Sequence, residues 1–181
     1  LLSSSEAEPG SPAVPAAPQD ASARRVPTAP LPPAEAWRTL ADLLRARVAA
    51  AVADGTGPPP LGRWLRDDLV RIAHEHRRGS NRAAATALGM AESTYRRQIG
   101  SVLRDAANGT AARPAAWEPV TGFLYSQFPA LVEEGGDVME RARRTLLGTV
   151  LEELGEGPRS LGALLMGVSP PTFRRLAAAG P

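Results

Sequence analysis

The sequence repeats itself once, and this repeat constrains the fold more than any other feature. With an offset of 78 residues, Leu69 matches Leu147 and Gly79 matches Gly157. The same offset aligns Ile72 with Val150, Ala85 with Ala163, Leu88 with Met166, Gly89 with Gly167, Met90 with Val168, Thr94 with Thr172, Tyr95 with Phe173, and Arg96-Arg97 with Arg174-Arg175. Self-similarity at a fixed period indicates a duplicated structural unit. We therefore predict two tandem units, residues 34–108 and 114–181, joined through Asn108-Gly109-Thr110.

Each unit opens with apolar residues at helical spacing. The first set predicts an amphipathic helix over residues 34–53, and an offset of 80 places a similar set over residues 116–133. These sets are Trp37, Leu40, Leu44, Val48 and Val52, and then Trp117, Val120, Leu124, Phe128 and Val132. In the first unit, three further helices follow, and the next one has Leu65, Leu69, Ile72 and His76 on one face. The sequence predicts an all-α fold of two four-helix units, packed as an intrachain pseudo-dimer.

The remaining composition limits the classes of function. The chain has no Cys, so disulfides and thiolate sites are excluded. No apolar run approaches the ~18 residues of a membrane span, and we expect a cytoplasmic protein that does not contact a membrane. Residues 1–33 are rich in Ala, Pro and Ser, which predicts a disordered linker. Because the sequence lacks a starting Met, we expect a further N-terminal domain before this linker.

The stretch from Gly79 to Ile99 has the sequence logic of a helix-turn-helix. Ser80 or Asn81 can cap a helix over residues 81–88 by accepting its free N–H groups. Gly89 can adopt the left-handed conformation that a tight turn needs. In the helix that follows, over residues 92–106, Tyr95 and Ile99 face the core. The opposite face of that helix then presents polar residues to a DNA major groove.

This stretch resembles the Fis-type DNA-binding domain. The shared pattern is a Gly-led turn, an Ala-Ala pair, Leu-Gly, an apolar residue, and then Thr, an aromatic residue and two basic residues. The family includes the Fis nucleoid protein and the C-terminal domains of nitrogen-regulator-like enhancer-binding activators. In that family two longer helices precede the motif and form a dimer interface, which implies self-association through residues 34–53 and 116–133.

The resemblance also implies which residues contact double-stranded DNA. In the first unit they are Ser80, Arg82, Ala91, Glu92, Ser93, Thr94, Arg96 and Arg97. In the second unit they are Ser169, Pro170, Thr172, Arg174 and Arg175. Two departures bear on base specificity: Glu92 can accept from a cytosine amino group or repel phosphate, and Pro170-Pro171 donate no hydrogen bonds. The recognition helices are thus predicted near residues 91–99 and 169–177.

The two predicted units differ in charge. Residues 34–112 carry 12 Arg and 8 acidic residues, a net charge of +4. Residues 113–181 carry 7 Arg and 8 acidic residues, a net charge of −1. Because phosphate neutralisation supplies much of DNA affinity, we expect the first unit to bind DNA more strongly than the second.

Two function hypotheses follow. The first is a DNA-binding module, either a bacterial transcription regulator or an architectural protein associated with the nucleoid. The alternative is a protein-interaction or oligomerisation module with a helix-turn-helix fold and little DNA binding. A homodimer with four recognition helices is the alternative to the intrachain pseudo-dimer. No arranged nucleophile, base, metal ligand set or phosphate-binding loop occurs in the sequence, so we predict no enzyme activity, cofactor or metal site.

Overall fold

Eight α-helices build the part of the chain that the computed structural model describes, namely residues 29–55, 57–133, 135 and 137–180, and no strand occurs there. The helices are α1 (Pro33–Asp54), α2 (Leu61–His76), α3 (Asn81–Leu88), α4 (Glu92–Ala107), α5 (Glu118–Glu133), α6 (Val138–Leu154), α7 (Arg159–Met166) and α8 (Pro170–Ala179). One turn of 3-10 helix, Ala115–Trp117, leads into α5. The all-α prediction is therefore confirmed.

The first helix begins and ends where its sequence signals predict. Pro33 occupies the first turn, where a missing N–H costs nothing. Gly55 closes the helix in the left-handed conformation, with φ of +63°. Between these ends, the buried stripe contains Ala36, Trp37, Leu40, Leu44, Val48 and Ala51. Val52, which we predicted on the same face, is partly exposed.

One hydrophobic core runs through all eight helices. Helix α1 packs against α5 and α6, which come from the later part of the chain. Helix α2 occupies the centre and contacts every helix from α3 to α7. Short helices can pack this closely because many of the buried positions are alanine, among them Ala73, Ala84, Ala85 and Ala142. The core is therefore shared by the early and late parts of the chain.

The first residues that the structure describes correct the end of our predicted linker. We predicted disorder over residues 1–33; residues 1–28 lie outside the described part of the chain. Leu31, however, packs against the core. Its backbone N–H donates to Gln127 Oε1 at 2.8 Å, and Gln127 Nε2 donates to the Ala29 carbonyl at 3.0 Å. Because Gln127 is fully buried, it fixes the chain ahead of α1.

A buried polar network holds the connection between α4 and α5 to α2. Asp68, only 5% exposed, accepts from Trp117 Nε1 at 2.8 Å and from Thr121 Oγ1 at 2.6 Å. The neighbouring Asp67 forms ion pairs with Arg66 at 2.8 Å and Arg113 at 3.6 Å. Buried carboxylates need such partners because desolvation otherwise opposes their charge. In the described part of the chain, no helix combines the length and apolar character needed to cross a membrane.

Candidate nucleic-acid interface

Helices α3 and α4 are joined by a tight turn at Gly89. Ser80 Oγ accepts the Ala83 N–H at 3.3 Å and so caps the start of α3. Gly89 has φ of +70°, a conformation that costs a residue with a Cβ more than it costs glycine. The N–H of Gly89 donates to the Thr86 carbonyl at 3.1 Å, and the N–H of Met90 donates to the Ala85 carbonyl at 2.9 Å. The sequence predicted this cap and this turn.

Tyr95 and Ile99 anchor α4 to the core, as predicted. Tyr95 is fully buried and Ile99 is 5% exposed. The Tyr95 hydroxyl donates to the Val70 carbonyl at 3.4 Å and lies 3.3 Å from His74 Nδ1. Burial raises the pKa of Tyr95 to about 12, because the charged phenolate would lose its hydration in the core. The anchored face fixes which residues of α4 face outward.

The predicted contact residues of the first motif lie on its outer side. Ser80, Arg82, Ala91, Ser93, Arg96 and Arg97 are exposed, whereas Glu92 and Thr94 are partly buried. Glu92 Oε1 pairs with Arg96 Nη2 at 2.5 Å, one turn apart on α4. The Glu92 carboxylate is therefore already paired with the Arg96 guanidinium, which the resemblance assigns to DNA contact. Arg97 forms no ion pair with any residue that the structure describes.

Helices α7 and α8 repeat the same turn. Gly167 has φ of +64°, and its N–H donates to the Leu164 carbonyl at 2.9 Å. The N–H of Val168 donates to the Ala163 carbonyl at 3.0 Å, matching the bond that Met90 makes. Phe173, fully buried, occupies the position of Tyr95. Helices α3 and α7 each have eight residues, so the two motifs share one backbone plan.

The start of α8 differs chemically from the start of α4. Ser169 Oγ accepts the Thr172 N–H at 3.4 Å, and the two hydroxyl oxygens lie 2.9 Å apart. Both hydroxyls are therefore engaged with each other. Pro170 and Pro171 fill the first two positions of the helix and offer neither a side-chain nor a backbone donor. Among our predicted contact residues here, Arg174 and Arg175 are the exposed cations.

Two exposed arginines beside the first motif were missed by the sequence analysis. Arg77 and Arg78 follow α2, and Arg78 has φ of +49°, in the left-handed region. Arg77, Ser80 and Arg82 line one shallow groove at the start of α3. The sequence signal for them is the Arg-Arg pair just before Gly79. With Thr86, which also lines the groove, two cations and two hydroxyl side chains lie there.

The histidines of α2 have structural contacts. His74 meets the Tyr95 hydroxyl, and His76 Nε2 lies 2.9 Å from the Tyr125 carbonyl. The His76 ring also packs on Tyr125 and Phe128, with ring centroids 5.1 Å apart in both cases. In the part of the chain that the structure describes, no group of three His, Cys, Asp or Glu side chains is arranged to hold a metal ion.

No protein-family model matches the chain, and no curated protein or solved structure gives a significant match.

Proposed function

We propose that this chain is a DNA-binding module of the Fis type that contacts double-stranded DNA through α4 and α8. The observation that carries this proposal is the repetition of one helix-turn-helix backbone, with an exposed Arg pair at the same place on each second helix. Such a helix fits the major groove, and guanidinium groups bind both phosphates and guanine edges. The chain would then act as a transcription regulator or architectural protein in the bacterial cytoplasm and nucleoid.

The packing of the helices supports an intrachain pseudo-dimer. Helix α1 packs on its counterpart α5, and α2 packs on its counterpart α6. Each opening helix also packs on the second helix of the other unit, α1 on α6 and α5 on α2. A Cβ at Gly89 would lie 2.6 Å from Asp137 Cα, and one at Gly167 would lie 3.3 Å from Arg63 Cβ. Each turn therefore abuts the beginning of the other unit's second helix, as a two-fold arrangement requires.

Within this proposal the two motifs have unequal roles. The first offers Arg77, Arg78, Arg82 and Arg97 to phosphate, and the Ser93 hydroxyl to a base edge. The second offers Arg174 and Arg175, while its hydroxyls are engaged with each other and its first turn is proline. Since phosphate contacts position a protein and base contacts specify the site, the first unit supplies the specificity.

Binding to a mixed-sequence duplex at two salt concentrations tests the proposal. We expect salt-dependent binding, and we expect Arg96→Ala/Arg97→Ala to weaken it by about tenfold and to lower the salt slope by about 1, because Arg97 is the phosphate contact of this pair. Arg38→Ala/Arg45→Ala, on the exposed side of α1, removes the same charge and is the matched control. Fluorescence anisotropy of a labelled duplex measures all three proteins.

Two results would contradict DNA binding by α4. One is the absence of salt-dependent binding to any duplex. The other is an equal loss in the α1 control. For the pseudo-dimer, light scattering should give the monomer mass of 19.0 kDa for the free protein, and the mass of one chain plus one duplex for the DNA complex. Twice that mass would favour the homodimer with four recognition helices.

A protein-interaction module is the second candidate, and one observation favours it. Leu164, on α7, is 56% exposed at the position where α3 has Thr86. An exposed leucine near two prolines suits a protein partner better than a phosphate backbone. Under this alternative, the duplex titration above shows no salt-dependent binding while the fold is intact by circular dichroism.

A further inference from the structure

A cavity of about 180 Å³ lies where α2, α6, α7 and α8 meet. Its apolar wall includes Leu65, Leu69, Met139, Leu146, Met166 and Leu176. For comparison, an engineered apolar cavity of about 150 Å³ stays dry and binds benzene. The volume and lining therefore suit a single aromatic ring, and the two methionines can adjust to its shape.

Three arginines, Arg63, Arg66 and Arg143, also line this cavity. Their side chains are 56%, 45% and 45% exposed, so they form its solvent-facing mouth. Carboxylates hold each guanidinium through Nε and Nη2: Asp67 and Asp105 for Arg63, Asp67 for Arg66, and Glu140 for Arg143. A guanidinium has five N–H donors, so Nη1 of each remains available to a ligand.

Two separate ion-pair clusters adjoin the cavity, and each carries a surplus of positive charge. Arg113 also pairs with Asp67, and Arg144 also pairs with Glu140. One cluster contains three arginines and the carboxylates of Asp67 and Asp105, and the other contains two arginines and the carboxylate of Glu140, so each has a net charge of +1. An anionic group placed at this mouth gains charge-assisted hydrogen bonds from side chains that are already positioned.

We propose that the cavity binds a small aromatic carboxylate, with its ring between Met139 and Met166 and its carboxylate at the arginine mouth. Val168, Thr172 and Leu176 also line the cavity. Such a ligand would therefore contact the turn and the second helix of the second motif. The proposed ligand site is independent of the proposed DNA binding. Ligand binding can be detected from the methionines that line the cavity, with no DNA present.

Methionine methyl NMR with benzoate tests the site. The chain has three methionines, and Met90 lies in the turn of the first motif, outside the cavity lining. We expect benzoate to shift the Met139 and Met166 methyl signals saturably, with a Kd on the order of 0.1–1 mM for a ligand of this size. The Met90 signal should stay in place and serves as an internal control.

Two variants sharpen the test. Leu176→Trp should fill the cavity and abolish saturable binding, while Gln98→Trp, at the matching position of α4, should bind benzoate as the wild type does. Arg143→Gln should weaken benzoate binding by about tenfold and leave neutral benzyl alcohol unaffected. Non-saturable shifts of all three methionines, or wild-type binding by Leu176→Trp, would overturn the cavity site. Equal affinity of the wild type for benzoate and benzyl alcohol would overturn the role of the arginines.

Discussion

The two helix-turn-helix motifs share a turn but stabilise their helix ends in opposite ways. In the first motif, Ser80 caps α3, while Ala91 before α4 provides no side-chain cap. In the second, Pro158 before α7 provides none, while Ser169 caps α8. The left-handed glycine and the bonds around it are common to both. The turn is therefore the common element of the two motifs, and a side-chain cap can occur at the start of either the first or the second helix.

The aromatic anchor also differs between the motifs. Tyr95 uses its hydroxyl to bond α2, whereas Phe173 has no polar atom and packs its ring against Gly162. At the matching position the first motif has Ala84. In the second motif, the smaller residue Gly162 on α7 thus accompanies closer contact by the Phe173 ring of α8. The comparison teaches that a few internal positions determine this backbone, which leaves the outer face free to diverge in function.

The largest expected effect comes from removing the anchor of the second motif. Phe173→Ala should lower the free energy of unfolding by about 3–5 kcal/mol, because a fully buried ring is replaced by a cavity. Urea denaturation followed by circular dichroism measures this change. Leu103→Ala, at a side chain that is 47% exposed, is the control and should change little. A loss below about 1 kcal/mol for Phe173→Ala would mean that α8 is not held by this ring.

Exchanging the small residues beneath the rings should have a smaller effect. A Cβ at Gly162 would lie 2.6 Å from Phe173 Cε1, so Gly162→Ala should destabilise by about 1–3 kcal/mol through overpacking. Ala84→Gly should cost about 1 kcal/mol through helix propensity and lost contact. Denaturation curves of both variants check the ranking. If Gly162→Ala is neutral or stabilising, the difference between the motifs is not one of ring contact.

Sequence patterns predicted the elements whose signals are local. The bounds of α3 could be predicted because Ser80 and Gly89 mark its ends, and those of α1 because Pro33 and Gly55 do. The start of α5 was less accurate: we expected α-helix from residue 116, and the chain forms a 3-10 turn there.

Contacts between distant parts of the chain could not be predicted from these patterns. Trp117 and Asp68 are 49 residues apart, and Leu31 and Gln127 are 96 apart. No local spacing brings such partners together. For the candidate interface, helical periodicity predicted the outward side of α4. The same periodicity places Glu92 one turn before Arg96, a spacing that favours an ion pair, whereas the resemblance assigned both residues to DNA.

Ionisation of the first anchor distinguishes the motifs further. Because the pKa of Tyr95 is raised to about 12, the folded chain keeps a proton that the unfolded chain loses above about pH 10. Unfolding then releases a proton, so stability falls as pH rises from about 10 to 12. Tyr95→Phe should cost about 1 kcal/mol at neutral pH through its lost hydrogen bond, and stability should decline less steeply over that range. Urea denaturation at pH 8 and pH 11 measures both effects.

The control for this prediction is Tyr125→Phe, at a ring that is 50% exposed. It should retain the steep decline of the wild type, because the buried anchor is unchanged. If Tyr95→Phe loses as much stability as the wild type between pH 8 and pH 11, the Tyr95 hydroxyl is not buried in solution. Tyr95 and Phe173 would then not differ in how they make stability depend on pH.

The smallest expected effect comes from adding the missing cap to α4. Ala91 already has an extended backbone, with φ of −64° and ψ of 135°, close to that of the capping Ser169 at −69° and 151°. Ala91→Ser should therefore stabilise the chain by about 0.5–1 kcal/mol, and Ser80→Ala should destabilise it by a similar amount. Thermal unfolding of the two single variants and the double variant measures both. If Ala91→Ser stabilises nothing, the first turn of α4 lacks the free N–H geometry that Ser169 uses in α8, and the two motifs differ in backbone as well as in side chains.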